Sequence, residues 1–277
     1  MCMFKRSLKD LNQQELSNIL KDFGNEGTKK VFQSEAQFQF ELAWKLQELY
    51  DCNVKLEDLT IVIEEKGTNI QKKKTKQQKV YTDIVLKKDD YRIAIELKYK
   101  TEELVCDNIL LFDHSAVDLG RYDYLWDVNR LELLVYYDKK HKSEQLIEGK
   151  RRGCKLIYKN FDKTYDKGFA ILLTNEQKYW GEFWVDENVI QDYTIDNQFK
   201  IGENDSTNHI GKLYSNKMDW KHEDDGKYPK TIKGKSEKGT SRARPIKLLK
   251  RYEYKWEDYY TIPQAKNGDF KFLIISI

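Results

Sequence analysis

Asp83 interrupts an otherwise apolar run, VYTDIVLK at 80–87, and after twelve intervening residues Glu96 and Lys98 close another, YRIAIELKY at 91–99. A carboxylate in such a strand is costly unless something pairs with it. Strand alternation puts Ala94, Glu96 and Lys98 on one face of the second run and Ile93, Ile95 and Leu97 on the other, while Tyr81, Asp83 and Val85 share a face of the first. If the runs form a hairpin whose loop is Asp89–Asp90, or the four residues Lys88 to Tyr91, Lys88 faces Tyr91 and Asp83 falls across from Glu96. A three- or five-residue loop would break that register. Opposed Cβ atoms in an antiparallel pair lie about 4.5–5.5 Å apart, and like charges so placed repel. The pair therefore calls for a cation. A divalent ion that prefers hard oxygen ligands is the natural candidate, and Lys98 reaches the same pocket.

The elements that must position these residues are legible on either side. Residues 1–33 read as a short helical lead ending at the Gly24 to Gly27 turn. A firmer helix spans about 34–50, with Ser34 as its cap, Gln37 reaching back, and Phe38, Leu42, Leu46 and Leu49 along one face. LTIVIEE at 59–65 is a third strand, and GFAILLT at 168–174 has the continuous apolar run of a strand buried on both faces. Between them a helix over about 115–135 turns Val117, Tyr124, Leu125, Val128, Leu131 and Val135 inward, with Ser115 as its cap. Beyond 183 short strands and turns lead to the terminal FKFLIISI, which must pack on the core rather than stand as an exposed edge. The order is α-β-β-β-α-β followed by a β-rich tail, a mixed α/β plan with helices flanking a central sheet. The expected division is a core over 1–182 and a β-rich extension over 183–277 packed on the same domain.

Asp83, the twelve-residue gap and Glu96-Leu97-Lys98 at the end of an apolar strand resemble the PD-(D/E)xK nuclease superfamily, over roughly residues 34–175. Thr82 stands where the family name has proline. The resemblance implies a restriction-endonuclease-like α/β core, a four-stranded mixed sheet flanked by helices in the order above. It implies Mg²⁺, with Mn²⁺ as a possible substitute, held by Asp83 and Glu96, with the Leu97 carbonyl as a third ligand. Members often add a glutamate from the first helix, and Glu35 matches that position. Lys98 would orient or help deprotonate the attacking water and stabilise the phosphorane; beside a metal in a partly dry site its pKa is expected to be depressed. The implied activity is endonucleolytic hydrolysis of DNA, favoured over RNA. The alternative is a non-catalytic nucleic-acid-binding module that keeps the fold.

Charge segregation fits a polyanionic partner. Lys+Arg number 49 against 46 Asp+Glu, a net charge of only +3. Yet residues 226–251 hold ten basic side chains against Glu237 alone, and KKKTKQQK covers 72–79. Lys72, Lys73, Lys74, Arg242 and Arg244 are therefore candidate phosphate contacts. Residues 101–138 run the other way, with nine acidic side chains against Arg121 and Arg130. There Arg121 and Tyr122 follow Asp118 by one helical turn, and Arg121 is placed to grip a phosphate bidentately.

Other chemistries lack their residues. Gly234-Lys235-Ser236 ends like a phosphate-binding loop, but Pro229 occupies its opening glycine position. His114, His141, His209 and His222 have no zinc-hydrolase spacing, and Cys2, Cys52, Cys106 and Cys154 form no CxxC pair. No apolar run approaches the roughly 18–20 residues of a membrane span, so a cytoplasmic protein is expected. Cutting both strands of a duplex needs two sites, which makes a homodimer a natural expectation.

Overall fold

The computed structural model describes residues 5–25, 31–66, 74–106, 109–114, 117–136, 146–151, 154–159, 165–180, 210–213, 217–218, 246–248, 250 and 252–277. Helices α1 (Gln13–Asn25) and α2 (Glu35–Leu49) precede strands β1 (Asn53–Lys66), β2 (Lys74–Lys88) and β3 (Tyr91–Lys100). A small ribbon of β4 (Leu104–Cys106) and β5 (Ile109–Leu111) leads to α3 (Val117–Tyr136). Then come β6 (Leu146–Arg151), β7 (Cys154–Lys159) and β8 (Lys167–Thr174). The tail carries β9 (Ile210–Leu213), β10 (Lys217–Met218), β11 (Ile246–Lys247), β12 (Tyr252–Thr261) and β13 (Asp269–Ser276).

The result is a mixed α/β fold. Among the described residues the main sheet has nine strands in the order β6-β7-β1-β2-β3-β8-β13-β12-β9. β1, β2 and β3 run antiparallel, β3 and β8 run parallel, and β13 returns antiparallel to β8. Parallel neighbours need a long crossover, and α3 supplies it across one face. The sheet thus has helices on both faces and two cores. On one side Ile93, Ile95, Leu97 and Tyr99 of β3 pack with α1 and α2; on the other Ala94 of β3 and Val85 of β2 pack beneath Tyr124, Leu125, Val128 and Leu131 of α3. The strict alternation of β3 is what sends its apolar residues to one core and Glu96 and Lys98 to the face that α3 covers.

Local signals account for the framing helices. Ser34 Oγ accepts from Gln37 N–H at 3.1 Å, and Gln37 Oε1 accepts from Gln33 N–H at 2.7 Å, a reciprocal cap that fixes where α2 starts. The β2–β3 turn consists of Asp89 and Asp90, with Asp89 at φ 54° and Lys88 opposite Tyr91. β8 is buried along its length between β3 and β13, as its unbroken apolar run requires, and the terminal FLIISI segment lies inside the sheet.

Three features differ from expectation. The strand expected at 59–65 begins at Asn53, because VKLED pairs with β2 despite its charges. The sheet is wider than four strands, since β12 and β13 extend it beyond β8 and the β6–β7 hairpin extends it beyond β1. The β4–β5 ribbon is also unexpected: each strand has only three residues, too few to show a period.

The β12–β13 turn is packed tightly enough to test. A Cβ on Gly268 would lie 2.5 Å from the Ile262 carbonyl oxygen and 3.0 Å from that of Ala265, both backbone atoms that cannot swing aside. Gly268→Ala is expected to lower stability by about 1–3 kcal/mol, the usual range for overpacking, read as a shifted midpoint in urea unfolding. An unchanged midpoint would show that the turn can relax.

Candidate active site

The site forms where β2 and β3 part. Their ladder keeps the expected register from Lys88↔Tyr91 to Ile84↔Ile95 and stops one residue short of Asp83 and Glu96. From there β2 stays with β1, through Asp58↔Thr82, whereas β3 stays with β8, through Glu96↔Ala170 and Lys98↔Leu172. Parting leaves the β3 edge without strand partners, and buried N–H groups must find others. Two carboxylates provide them. Asp83 Oδ2 accepts from Leu97 N–H and Glu35 Oε2 from Tyr99 N–H, each at 2.7 Å. Gln39 of α2 donates to the Asp83 carbonyl at 2.6 Å, fixing the backbone at the point of divergence.

On the other face α3 contributes two charged residues. Lys98 Nζ lies 2.7 Å from Asp127 Oδ2 and donates to the Leu97 carbonyl at 3.2 Å. Arg130 Nη2 is ion-paired with Glu96 and lies 3.2 Å from Asp127 Oδ1, so Asp127 gives one oxygen to each cation. Glu96 is 1% exposed, and neither of its oxygens has a hydrogen-bond partner of good geometry. The side chains of Lys98 and Arg130 are 19% and 22% exposed, so the cluster opens to solvent on their side.

The charges do not balance. Asp83, Glu96 and Asp127 surround Lys98 and Arg130, leaving one surplus negative charge when all are ionised. Burial lifts the Glu96 carboxyl well above the usual carboxylate range; Arg130 and Lys98 pull it down, Asp127 and Asp83 push it up. Burial likewise raises Asp83, against the Leu97 N–H bond and Lys98. Lys98 runs opposite to expectation. Burial works to lower it, but Asp127, Glu35 and Asp83 outweigh burial and hold it above its ordinary value as an ammonium.

A raised folded-state pKa makes a stability prediction. Glu96 stabilises most below its unfolded value, about 4.3, and that contribution is lost as pH rises through its folded pKa. Metal-free Glu96→Gln, which removes the surplus charge, is therefore expected to gain stability relative to wild type between pH 5 and pH 8. Parallel melts at the two pH values check this; a gap that narrows with rising pH contradicts it.

The donor chemistry suits a divalent ion only in part. Asp83, the under-satisfied Glu96 and the Leu97 carbonyl are hard oxygens beside a negative surplus, which is what Mg²⁺ or Mn²⁺ requires. Among the described residues no three His, Cys, Asp or Glu side chains group closely enough to hold one ion, so Glu35 does not complete a set of three carboxylates. Its visible role is to close the strand edge at Tyr99.

Other expected contacts sort differently. Arg121 is 2% exposed; its guanidinium donates to the Lys178 carbonyl and lies over the Tyr179 ring, so it ties α3 to the segment after β8 instead of facing a phosphate. Tyr122 lies on α3, but its side chain, like Lys72, Lys73, Arg242 and Arg244, falls outside the described residues, while Lys74 opens β2 opposite Lys66. Asp127, Arg130 and Gln39 are site residues that the motif does not predict. A signal for the α3 pair is nonetheless present in the chain, because Asp127 continues the stripe of Tyr124, Val128 and Leu131, and a charge on an apolar stripe needs a partner.

A cavity of ≈ 690 Å³ opens at the turn end of the β2–β3 hairpin, away from the carboxylates. Its lining sets Lys5, Arg6, Lys9 and Lys88 against Asp51, Asp89, Asp90 and Asp166, giving no net charge to attract an anion. Among the described residues no helix is long and apolar enough to cross a membrane. Compared with family models, curated proteins and solved structures, the chain matches none of them.

Proposed function

We propose that the chain is a metal-dependent endonuclease of restriction-endonuclease-like fold that hydrolyses DNA. The observation that carries this reading is the meeting of Asp83, Glu96 and Lys98 at the parting of β2 and β3, in a buried cluster where the carboxyl groups Asp83, Glu96 and Asp127 outnumber the cations Lys98 and Arg130. A structural ion-pair network has no need of an excess carboxylate, which costs stability. The adjacent order β1-β2-β3-β8, with α2 and α3 on opposite faces, supports the fold assignment.

In this reading Asp83, Glu96 and the Leu97 carbonyl hold the metal. Bound there, Mg²⁺ would neutralise charge at the phosphorus and lower the pKa of a coordinated water. Asp127 keeps Lys98 charged and fixed, so its ammonium acts by hydrogen bonding to the attacking water and by stabilising charge that develops on the phosphoryl oxygens. Asp83 and Glu35 satisfy the N–H groups that the β3 edge exposes where β2 leaves it. The basic segments at 72–79 and 226–251 would contact the nucleic-acid backbone, and a homodimer would place one site on each strand. A non-catalytic nucleic-acid-binding module is the second reading, favoured by the ion pair that gives Glu96 a cation from the chain itself.

The deciding experiment is incubation of single-stranded, duplex and branched DNA, and of RNA, with Mg²⁺, Mn²⁺ or EDTA. Metal-dependent cutting is expected on DNA; inertness on every substrate with retained binding favours the second reading. Replacing Lys72, Lys73 and Lys74 by alanine together is expected to weaken binding and to flatten the plot of log K against log salt by about 0.9 for each phosphate no longer neutralised. Fluorescence anisotropy between low and moderate salt measures it. An unchanged slope removes that segment from the interface.

A further inference from the structure

Arg130 has no part in the nuclease reading, yet it is the cation that meets Glu96. It stands one helical turn after Asp127 and reaches both Glu96 and, at 3.2 Å, Asp127 Oδ1. Glu96 Oε2 cannot give the same lone pairs to a guanidinium and to a metal, and two cations crowded onto one buried carboxylate repel each other. Asp127 offers Arg130 a second place to stay, because its other oxygen is already committed to Lys98 at 2.7 Å. The guanidinium can therefore leave Glu96 without leaving every carboxylate.

We propose that Arg130 is a resident counter-cation which a divalent ion displaces from Glu96, and that it weakens the site's affinity for metal while keeping the metal-free fold intact. The inference rests on the nuclease reading, since it assigns Glu96 as a metal ligand. Arg130 is a positioning residue, so its role is read in metal affinity rather than in cleavage. In the metal-free chain the guanidinium compensates the buried carboxylate; as metal enters, Arg130 moves onto Asp127.

The test is calorimetric titration of the full chain with Mn²⁺, without nucleic acid, for wild type, Arg130→Met and Glu96→Gln. The expected result is binding about tenfold tighter or more in Arg130→Met than in wild type, with binding weakened in Glu96→Gln. Equal or weaker binding in Arg130→Met, with wild-type binding still dependent on Glu96, overturns the inference and leaves the nuclease reading standing. No Mn²⁺ uptake by either wild type or Arg130→Met overturns both. Should Arg130→Met fail to fold, the wild type decides the matter by NMR of the Arg130 guanidinium. Saturating Mg²⁺ must shift its signal and speed its exchange with solvent, and an unmoved signal overturns the inference.

Discussion

Lys98→Ala and Glu96→Gln are each expected to reduce Mg²⁺-dependent DNA cleavage by at least roughly 10²- to 10³-fold, the usual cost of losing one preorganised group at a reacting centre. The two losses arise differently. Glu96→Gln keeps the shape of the side chain and removes the charge that would hold the ion, so excess Mn²⁺ should recover part of its activity. Lys98→Ala leaves both proposed ligands in place, so excess metal should not rescue it. Asp127, which loses the ammonium at 2.7 Å, keeps Arg130 at 3.2 Å, so Lys98→Ala should remain folded. Single-turnover rates at several Mn²⁺ concentrations, alongside melts and DNA-binding titrations, separate these effects. Cleavage by both variants at the wild-type rate would remove Glu96 and Lys98 from the chemistry and return their ion pairs to a structural role.

The parts of this site that can be read from the chain are those fixed by local rules. A two-residue turn and strict alternation determine that Asp83 and Glu96 approach each other and that Glu96 and Lys98 leave the apolar face of β3, and the observed register agrees with that derivation through Ile84↔Ile95. The Ser34 cap puts Glu35 in the first turn of α2 for the same reason. What local rules do not encode is where the ladder ends. The divergence of β2 from β3 follows from β1 holding one strand and β8 the other, contacts between residues far apart in sequence. The partners from α3 belong to the same class. Asp127 and Arg130 come within reach of Lys98 and Glu96 only because the crossover lays that helix on one particular face. The carboxylate pair demands a cation, which local rules suggest is a metal, whereas the chain also provides one of its own. Arg121 fails as a phosphate contact for a related reason: its inward position is set by packing against Tyr179, more than fifty residues later.

Removing Arg130 is the second large effect. Arg130→Met deletes the guanidinium from a carboxylate that is 1% exposed, and breaking a buried pair from one side costs about 3–5 kcal/mol because the remaining charge is left without compensation. The cost should depend on pH in a definite direction. Glu96 already lies well above the usual carboxylate range with Arg130 present, and losing that attraction moves it higher. At about pH 4, near the unfolded pKa, the folded carboxyl is neutral and the variant lacks only the packing of the side chain. As pH rises, the unfolded chain gives up the proton while the folded chain keeps it, and stability falls by up to about 1.4 kcal/mol per pH unit until the folded pKa is passed. Wild type loses stability in parallel until its own, lower folded pKa is passed, so chemical denaturation of the metal-free proteins at pH 5, 6, 7 and 8 should show a gap between wild type and Arg130→Met that opens above that pKa, toward the alkaline end of the series. The double variant Glu96→Gln/Arg130→Met should recover much of the loss at pH 8, because no uncompensated charge remains at Glu96. A gap that is constant with pH, and no recovery in the double variant, would mean that Arg130 stabilises the fold by packing alone and that Glu96 is not charged in the folded chain.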